Sequence, residues 1–242
     1  MPILLELFTS EGCSSCPPAD TFLGKLDAVQ PVPGADLIVL SEHVDYWNHD
    51  GWKDPFSSNF YTDRQGVYGH RFNLQSVYTP EMVVDGSSEF LGSDVHAAER
   101  ALTEALKSPK IQVRLSSLTV DANNMLHAHI EAGPLPASSP SKEADVYLVV
   151  ALHHAESNVL RGENAGHNLA YTNVVQSMKS IGVLHRGETF SQDVELKLES
   201  GDDPEKAKQD LRFIAFLQDH HQGKILGATL GSIGSDAKVS GL

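Results

Sequence analysis

The chain is short of cysteine, of positive charge and of long apolar runs, and each shortage closes off a class of function. Two cysteines occur in 242 residues. That is too few to staple a large secreted scaffold, so the thiols read as a working pair. Lysine and arginine number 18 against 32 aspartates and glutamates, a formal net charge of −14. Such a surface repels a phosphate backbone, which sets general nucleic-acid binding aside. No apolar stretch approaches the length of a membrane-spanning helix. The amino terminus does not read as a signal peptide, because Glu6 interrupts a very short apolar run and no basic segment precedes it. The expectation is a cytosolic chain, or a mature or trimmed form of an exported one. Hydrophobic residues make up 40% of the sequence, ample for one or two cored domains.

Both cysteines fall in Cys13-Ser14-Ser15-Cys16. The apolar run Ile3 to Phe8 before them reads as a strand. After them, Pro17 or Pro18 suits a first helical turn, and Phe22, Leu23, Leu26 and Val29 recur at helical spacing. A Cys-x-x-Cys between a strand and a helix is placed for redox work: the spacing closes a small ring, and a helix N-terminus favours a thiolate. Leu37 to Leu40 reads as a buried strand, about 55 to 71 as a helix, and Met82 to Val84 and Ser88 to Leu91 as strands around an Asp85-Gly86 hairpin turn. Ser93 is expected to cap a helix carrying Val95, Ala98, Leu102 and Leu106.

This order resembles the thioredoxin type over residues 1–107. The resemblance implies that Cys13 is the exposed nucleophile and Cys16 the deeper, resolving thiol, with the Ser14 and Ser15 hydroxyls available to a thiolate. It implies that Thr79-Pro80, directly before the hairpin, is cis and faces the dithiol. Glu6 is either a buried carboxylate that relays a proton to the resolving cysteine or an outward-facing strand residue. The two prolines after Cys16 depart from the familiar thioredoxin pattern.

Longer strings resemble the bacterial family DUF1223: Glu6 to Asp20, Ser41 to Trp47, Gly51 to Phe56, Tyr78 to Gly86, Arg161 to Leu169 and Asn173 to Val175. That family has no known function and is usually exported, so the resemblance implies a periplasmic or secreted location.

Beyond Ser108-Pro109-Lys110 the pattern changes to alternation at Ile111 to Leu115, Leu126 to Ile130, Val146 to Leu152 and Val194 to Glu199, with Phe213 to Leu217 and Lys224 to Ala228 flanking a turn. Residues 111–236 are therefore expected to form an antiparallel β-sandwich. The fold class expected is an α/β thioredoxin-like fold followed by an all-β sandwich domain.

Both tryptophans, Trp47 and Trp52, lie in the loop from His43, which either covers a site or docks on the second domain. Arg161, Glu163 and Asn164, with Gly166 and His167, form either a turn or the lining of a cleft. Twelve histidines include His127 with His129 and the pairs His153-His154 and His220-His221, yet no spacing matches a zinc pattern. The leading expectation is a thiol–disulfide oxidoreductase acting on protein or small-molecule thiols and disulfides, with no organic cofactor and no bound metal. Its catalytic residues would be Cys13, Cys16, Thr79, Pro80 and Glu6. The alternative is an exported binding or sensing module whose dithiol holds a soft ion such as Cu(I) or senses redox state.

Overall fold

The computed structural model describes residues 1–49, 51–137, 139–198 and 210–233. Asp50, Ser138, Glu199 and the last residues of the 111–236 span lie outside them. The elements run β1 (Pro2–Thr9), α1 (Pro17–Val29), β2 (Asp36–His43), α2 (Asn59–Arg71), β3 (Glu81–Val84), β4 (Ser88–Leu91), α3 (Val95–Ala105), β5 (Val113–Val120), β6 (Met125–Ala132), β7 (Glu143–Asn158), β8 (Asn168–His185), β9 (Phe190–Lys197), β10 (Leu211–Asp219) and β11 (Ile225–Gly231).

This corrects the expected fold class. Among the described residues the molecule is mostly β, with 45% strand and 17% helix. Eight strands form one mixed sheet in the order β11-β10-β7-β8-β2-β1-β3-β4, and β5-β6-β9 form a separate three-stranded sheet. It is neither a helix-flanked thioredoxin fold nor such a fold followed by a sandwich. The physical reason is that β2 is not an edge. β8 pairs with it in parallel through Ser41 and Val174, so the sheet continues where the smaller fold would end.

Two compact units emerge: Met1–Pro109 with His154–Gln176, and Lys110–His153 with Ser177–Leu242. In the first, β1 runs parallel to β2, from Pro2 opposite Asp36 to Thr9 opposite His43, and antiparallel to β3. Alternate β1 residues face opposite sides. Ile3, Leu5 and Leu7 pack against Ala19, Leu23 and Leu26 of α1 and Ala101 and Leu102 of α3. Phe8 packs with Val83 and with Tyr68 of α2. Asp85 and Gly86 both take positive φ, 51° and 58°, as a two-residue hairpin turn requires. Asp94, not Ser93, caps α3, its side chain accepting from Ala97 N at 2.9 Å. The second unit is built from antiparallel pairs, β5 with β6, β6 with β9, β7 with β10 and β10 with β11. Its core is apolar, with Leu126, Ile130, Val146, Leu148, Phe213 and Leu217 buried together.

Candidate functional site: a buried disulfide above a polar cluster

The loop after β1 delivers the two cysteines to the start of α1. Cys16 is the helix N-cap, with proline in the first two helical positions. The prolines cost nothing there, since those N–H groups have no helical partner. Cys13 and Cys16 are joined in a disulfide, Sγ to Sγ 2.12 Å. Both residues are 0% exposed, although Ser14 and Ser15 between them are exposed. Cys13 is therefore not the exposed thiol that the sequence suggested. Two glycines allow this closure. A Cβ on Gly12 would stand 3.0 Å from Trp47 Cβ, and one on Gly92 would stand 2.7 Å from Leu7 Cδ1 and 3.2 Å from Pro80 Cβ.

Thr79-Pro80 is cis, as expected, and lies beside the cysteine loop. The Ser15 hydroxyl is 3.4 Å from both Cys13 Sγ and the Thr79 carbonyl, either of which can accept its proton. Trp47 Nε1 donates to Thr79 Oγ1 at 2.8 Å, which fixes the aromatic loop on the same spot.

Glu6 is buried, yet it is not on the side of α1. Its parity in β1 is that of Phe8, so it meets α2, where Arg64 donates to it from Nε at 2.6 Å and Tyr68 OH at 2.6 Å. It is neither outward-facing nor turned toward Cys16.

The buried ionisable groups on the α1 side are others. Asp20 follows Cys16 by one helical turn and donates its N–H to the Cys16 carbonyl at 3.1 Å, so the two side chains share a helix face. Burial raises its carboxyl to about 7, against the opposing pull of His43 and of the Thr9 hydroxyl. His43 ends β2. Its Nδ1 is 2.7 Å from Asp54 Oδ2, and its ring is 4.6 Å from that of Tyr171 of β8. For His43, burial favours the neutral form, but Asp54, Asp20 and Glu11 outweigh it and the net shift is upward. For Asp54, burial pushes upward, but His43 and backbone N–H groups of Glu11 and Phe56 hold the carboxyl below its ordinary value. Both shifts describe one ion pair. Burial also raises Glu11, opposed by the Trp52 indole, which donates to it at 2.5 Å. Among the described residues, His43 Nε2, Asp20 Oδ1, Glu11 Oε1 and the Tyr171 hydroxyl have no hydrogen-bond partner.

The loop between β7 and β8 closes over the cysteines. Asn164 Nδ2 donates to the carbonyls of Glu11 and Cys13, both at 2.9 Å. Glu163 Oε2 accepts from Ser14 N at 3.1 Å. Of the three residues read from the sequence as cleft lining, these two reach the cysteine loop, and Arg161 is exposed. Sequence reasoning missed Asp20, His43 and Asp54 as site residues. The one available signal was Asp20 at the fourth position after Cys16.

The other histidines do not converge. His129 pairs with Asp193 at 2.6 Å, His127 with Glu195 at 3.4 Å, and His220 with Asp145 at 3.1 Å. Among the described residues no group of three or more His, Cys, Asp or Glu is arranged to hold a metal ion. No described helix is long and apolar enough to cross a membrane.

Residues 4–218 match the family described as protein of unknown function, DUF1223. The chain belongs to the DUF1223 family. It is similar to the crystal structure of protein AGR_C_4864 from Agrobacterium tumefaciens, at 25% identity and a TM-score of 0.70, covering 99% of this chain and 97% of that one. It is also similar in fold to HBP35 of Porphyromonas gingivalis, at 14% identity and a TM-score of 0.65, covering 100% of this chain and 80% of that one. No curated protein matches the chain.

Proposed function

We propose that this DUF1223 protein is a thiol–disulfide oxidoreductase working through Cys13 and Cys16. One observation carries the reading: the disulfide opens a helix whose next turn places a buried acid, Asp20, on the same face and holds it near neutrality. A dithiol needs a proton partner when its bond breaks, and an acid poised near the working pH is suited to that exchange.

In the oxidising direction, a substrate thiolate forms a bond to Cys13 Sγ. The Cys13–Cys16 bond breaks and its electron pair leaves on Cys16 Sγ, which takes the proton of Asp20. A second substrate thiolate then attacks the mixed disulfide, forming the substrate disulfide and releasing Cys13 as a thiolate. The substrate loses two electrons and the protein gains them. Asp20, left ionised, faces the His43 imidazolium, which Asp54 holds in its charged form. Thr79 and Pro80 border the cysteine loop as the substrate-facing backbone. Protein or small-molecule thiols are the substrates, and an oxidising compartment outside the cytoplasm is the place where the closed disulfide would persist.

The test is turnover in insulin reduction with dithiothreitol, together with the midpoint potential against glutathione. The wild-type chain should be active, and Cys13→Ser and Cys16→Ser should each lose turnover. A pair that equilibrates with glutathione but never turns over would shift the reading to a redox sensor, which the complete burial of both cysteines favours as the second choice.

A further inference from the structure

The closed state of the disulfide has a cause within the first unit, residues 159–167 between β7 and β8. Leu160 to Glu163 and Ala165 to Asn168 are all exposed, while Asn164 among them is 5% exposed. A single side chain is thus driven into the protein from a loop that otherwise stands in solvent. It spends its Nδ2 on two carbonyls, those of Glu11 and of Cys13 itself. Glu163 takes the N–H of Ser14, the next residue of the cysteine loop. Neither contact belongs to a regular ladder, and neither extends the core. Gly162 and Gly166 bracket the plug with φ of 80° and 81°, a left-handed conformation that glycine adopts at little cost. The base of the loop is closed by Gly166 N to Val159 O at 2.7 Å and Val159 N to His167 O at 3.0 Å, so the tip is carried on a defined stem.

We propose that Asn164 and Glu163 are specificity-determining residues: they hold the 159–167 loop over Cys13 and set which thiols reach the disulfide. The proposal rests on the oxidoreductase reading and adds to it the discrimination step. A small thiol needs little displacement of the loop before its sulfur can bond Cys13 and expel Cys16. A thiol carried on a peptide needs the Asn164 and Glu163 contacts broken first. Glu11 shares the arrangement, since its carbonyl receives Asn164, its N–H goes to Asp54 at 2.9 Å and its carboxylate receives Trp52. Opening the loop therefore loosens one end of the segment that carries the cysteines and leaves the His43–Asp54 pair in place.

Full-length Asn164→Ala, Glu163→Gln and the double variant test this. The rate of disulfide reduction is measured with dithiothreitol and with a cysteine-bearing peptide. Asn164→Ala should speed reduction by the peptide about tenfold, as expected for two lost hydrogen bonds, and speed dithiothreitol much less. Glu163→Gln should act in the same sense and more weakly. Asn164→Asp keeps the shape but removes the donor, and it replaces the alanine variant if that one unfolds. Where wild type exchanges with thiols, unchanged rates in the variants, or equal acceleration for both thiols, would overturn the proposal. A second readout does not need exchange activity. The protein is reduced with a phosphine and labelled with iodoacetamide or a bulky maleimide. The variants should gain chiefly in bulky labelling. If wild type shows no exchange with any thiol but the variants show that gain, the oxidoreductase reading fails and the gate stands. If exchange is normal and labelling does not change, the gate fails alone.

Discussion

The sheet of the first unit buries ionisable groups on both faces, and the two sets are built differently. On the α2 face the cation is Arg64, bound to Glu6 with Nη2 at 2.5 Å and set 3.7 Å from Glu42. Burial and the charge of Glu6 raise Glu42 well above its ordinary value against the pull of Arg64, and so favour its neutral form beside the Arg64–Glu6 pair. An arginine does not lose its proton in a protein, so the charge on this face is fixed. On the α1 face the cation is His43 and the nearby acid is Asp20, raised to about 7 by burial. Asp20 thus titrates where proteins work, and Asp54, Asp20 and Glu11 hold His43 above its ordinary value against the effect of burial. The face with movable protons is the one that carries the disulfide, and the face with the fixed charge serves as its foundation.

The largest effect should come from breaking the fixed face. Arg64→Leu leaves Glu6 buried without its cation, and urea unfolding should show a loss of about 3–5 kcal/mol. The reactivity of the cysteines in the folded fraction should hardly change. If their midpoint potential moved as much as stability did, the division between the faces would be wrong.

Asp20→Asn should act in the opposite sense. The folded carboxyl sits above its unfolded value of 3.8, so ionising it opposes folding, and wild type loses stability as pH rises from about 4 to about 7. The variant should therefore gain on wild type across that window, by about 4 kcal/mol at most if the whole shift is expressed. Denaturation curves at pH 5 and pH 8 check this. No gain at pH 8 would mean that Asp20 is not held protonated by its surroundings. The variant should also slow thiol exchange and flatten its pH profile near 7.

His43→Asn keeps a donor for Asp54 and removes the charge. The folded His43 value lies above 6.5, so its contribution is complete below that pH and is lost as pH rises through the raised folded value. The variant should cost roughly 1–2 kcal/mol at pH 6 and progressively less toward alkaline pH. A pH-independent cost would point to packing against Phe56 and Tyr171 instead. The smallest effect should be that of Trp47→Phe, which removes the bond to Thr79 at a cost of about 1 kcal/mol. Thermal melts resolve a change of that size.

Much of the local structure was legible. Cys13 and Cys16 announced themselves by spacing and context, Thr79-Pro80 by its place before the hairpin, and β1 to α3 by periodicity and turn residues. The fold class was not legible, because β8 mixes polar and apolar residues along Asn168–His185 and carries no clean period. Its partner Ser41 is far away in the sequence, and pairing at that distance leaves no mark on either segment. The same strand brings Tyr171 against His43.

Glu6 and Asp20 show where the division falls. The chain by itself determined which residue types exist, their spacing, and so the dithiol, the hairpin turn and the helix that follows Cys16. Glu6 stood out as an acid in an apolar strand and Asp20 on its helix did not, and no local pattern says which of the two faces the disulfide. Tertiary structure decided that Glu6 would turn to Arg64 and that Asp20 would lie near Thr9 and His43 on the side of the disulfide. It decided too that Asn164 would close over Cys13. The physical reason is that desolvation and charge pairing depend on what packs around a group. Periodicity is written in neighbours along the chain, and burial is written by neighbours across it.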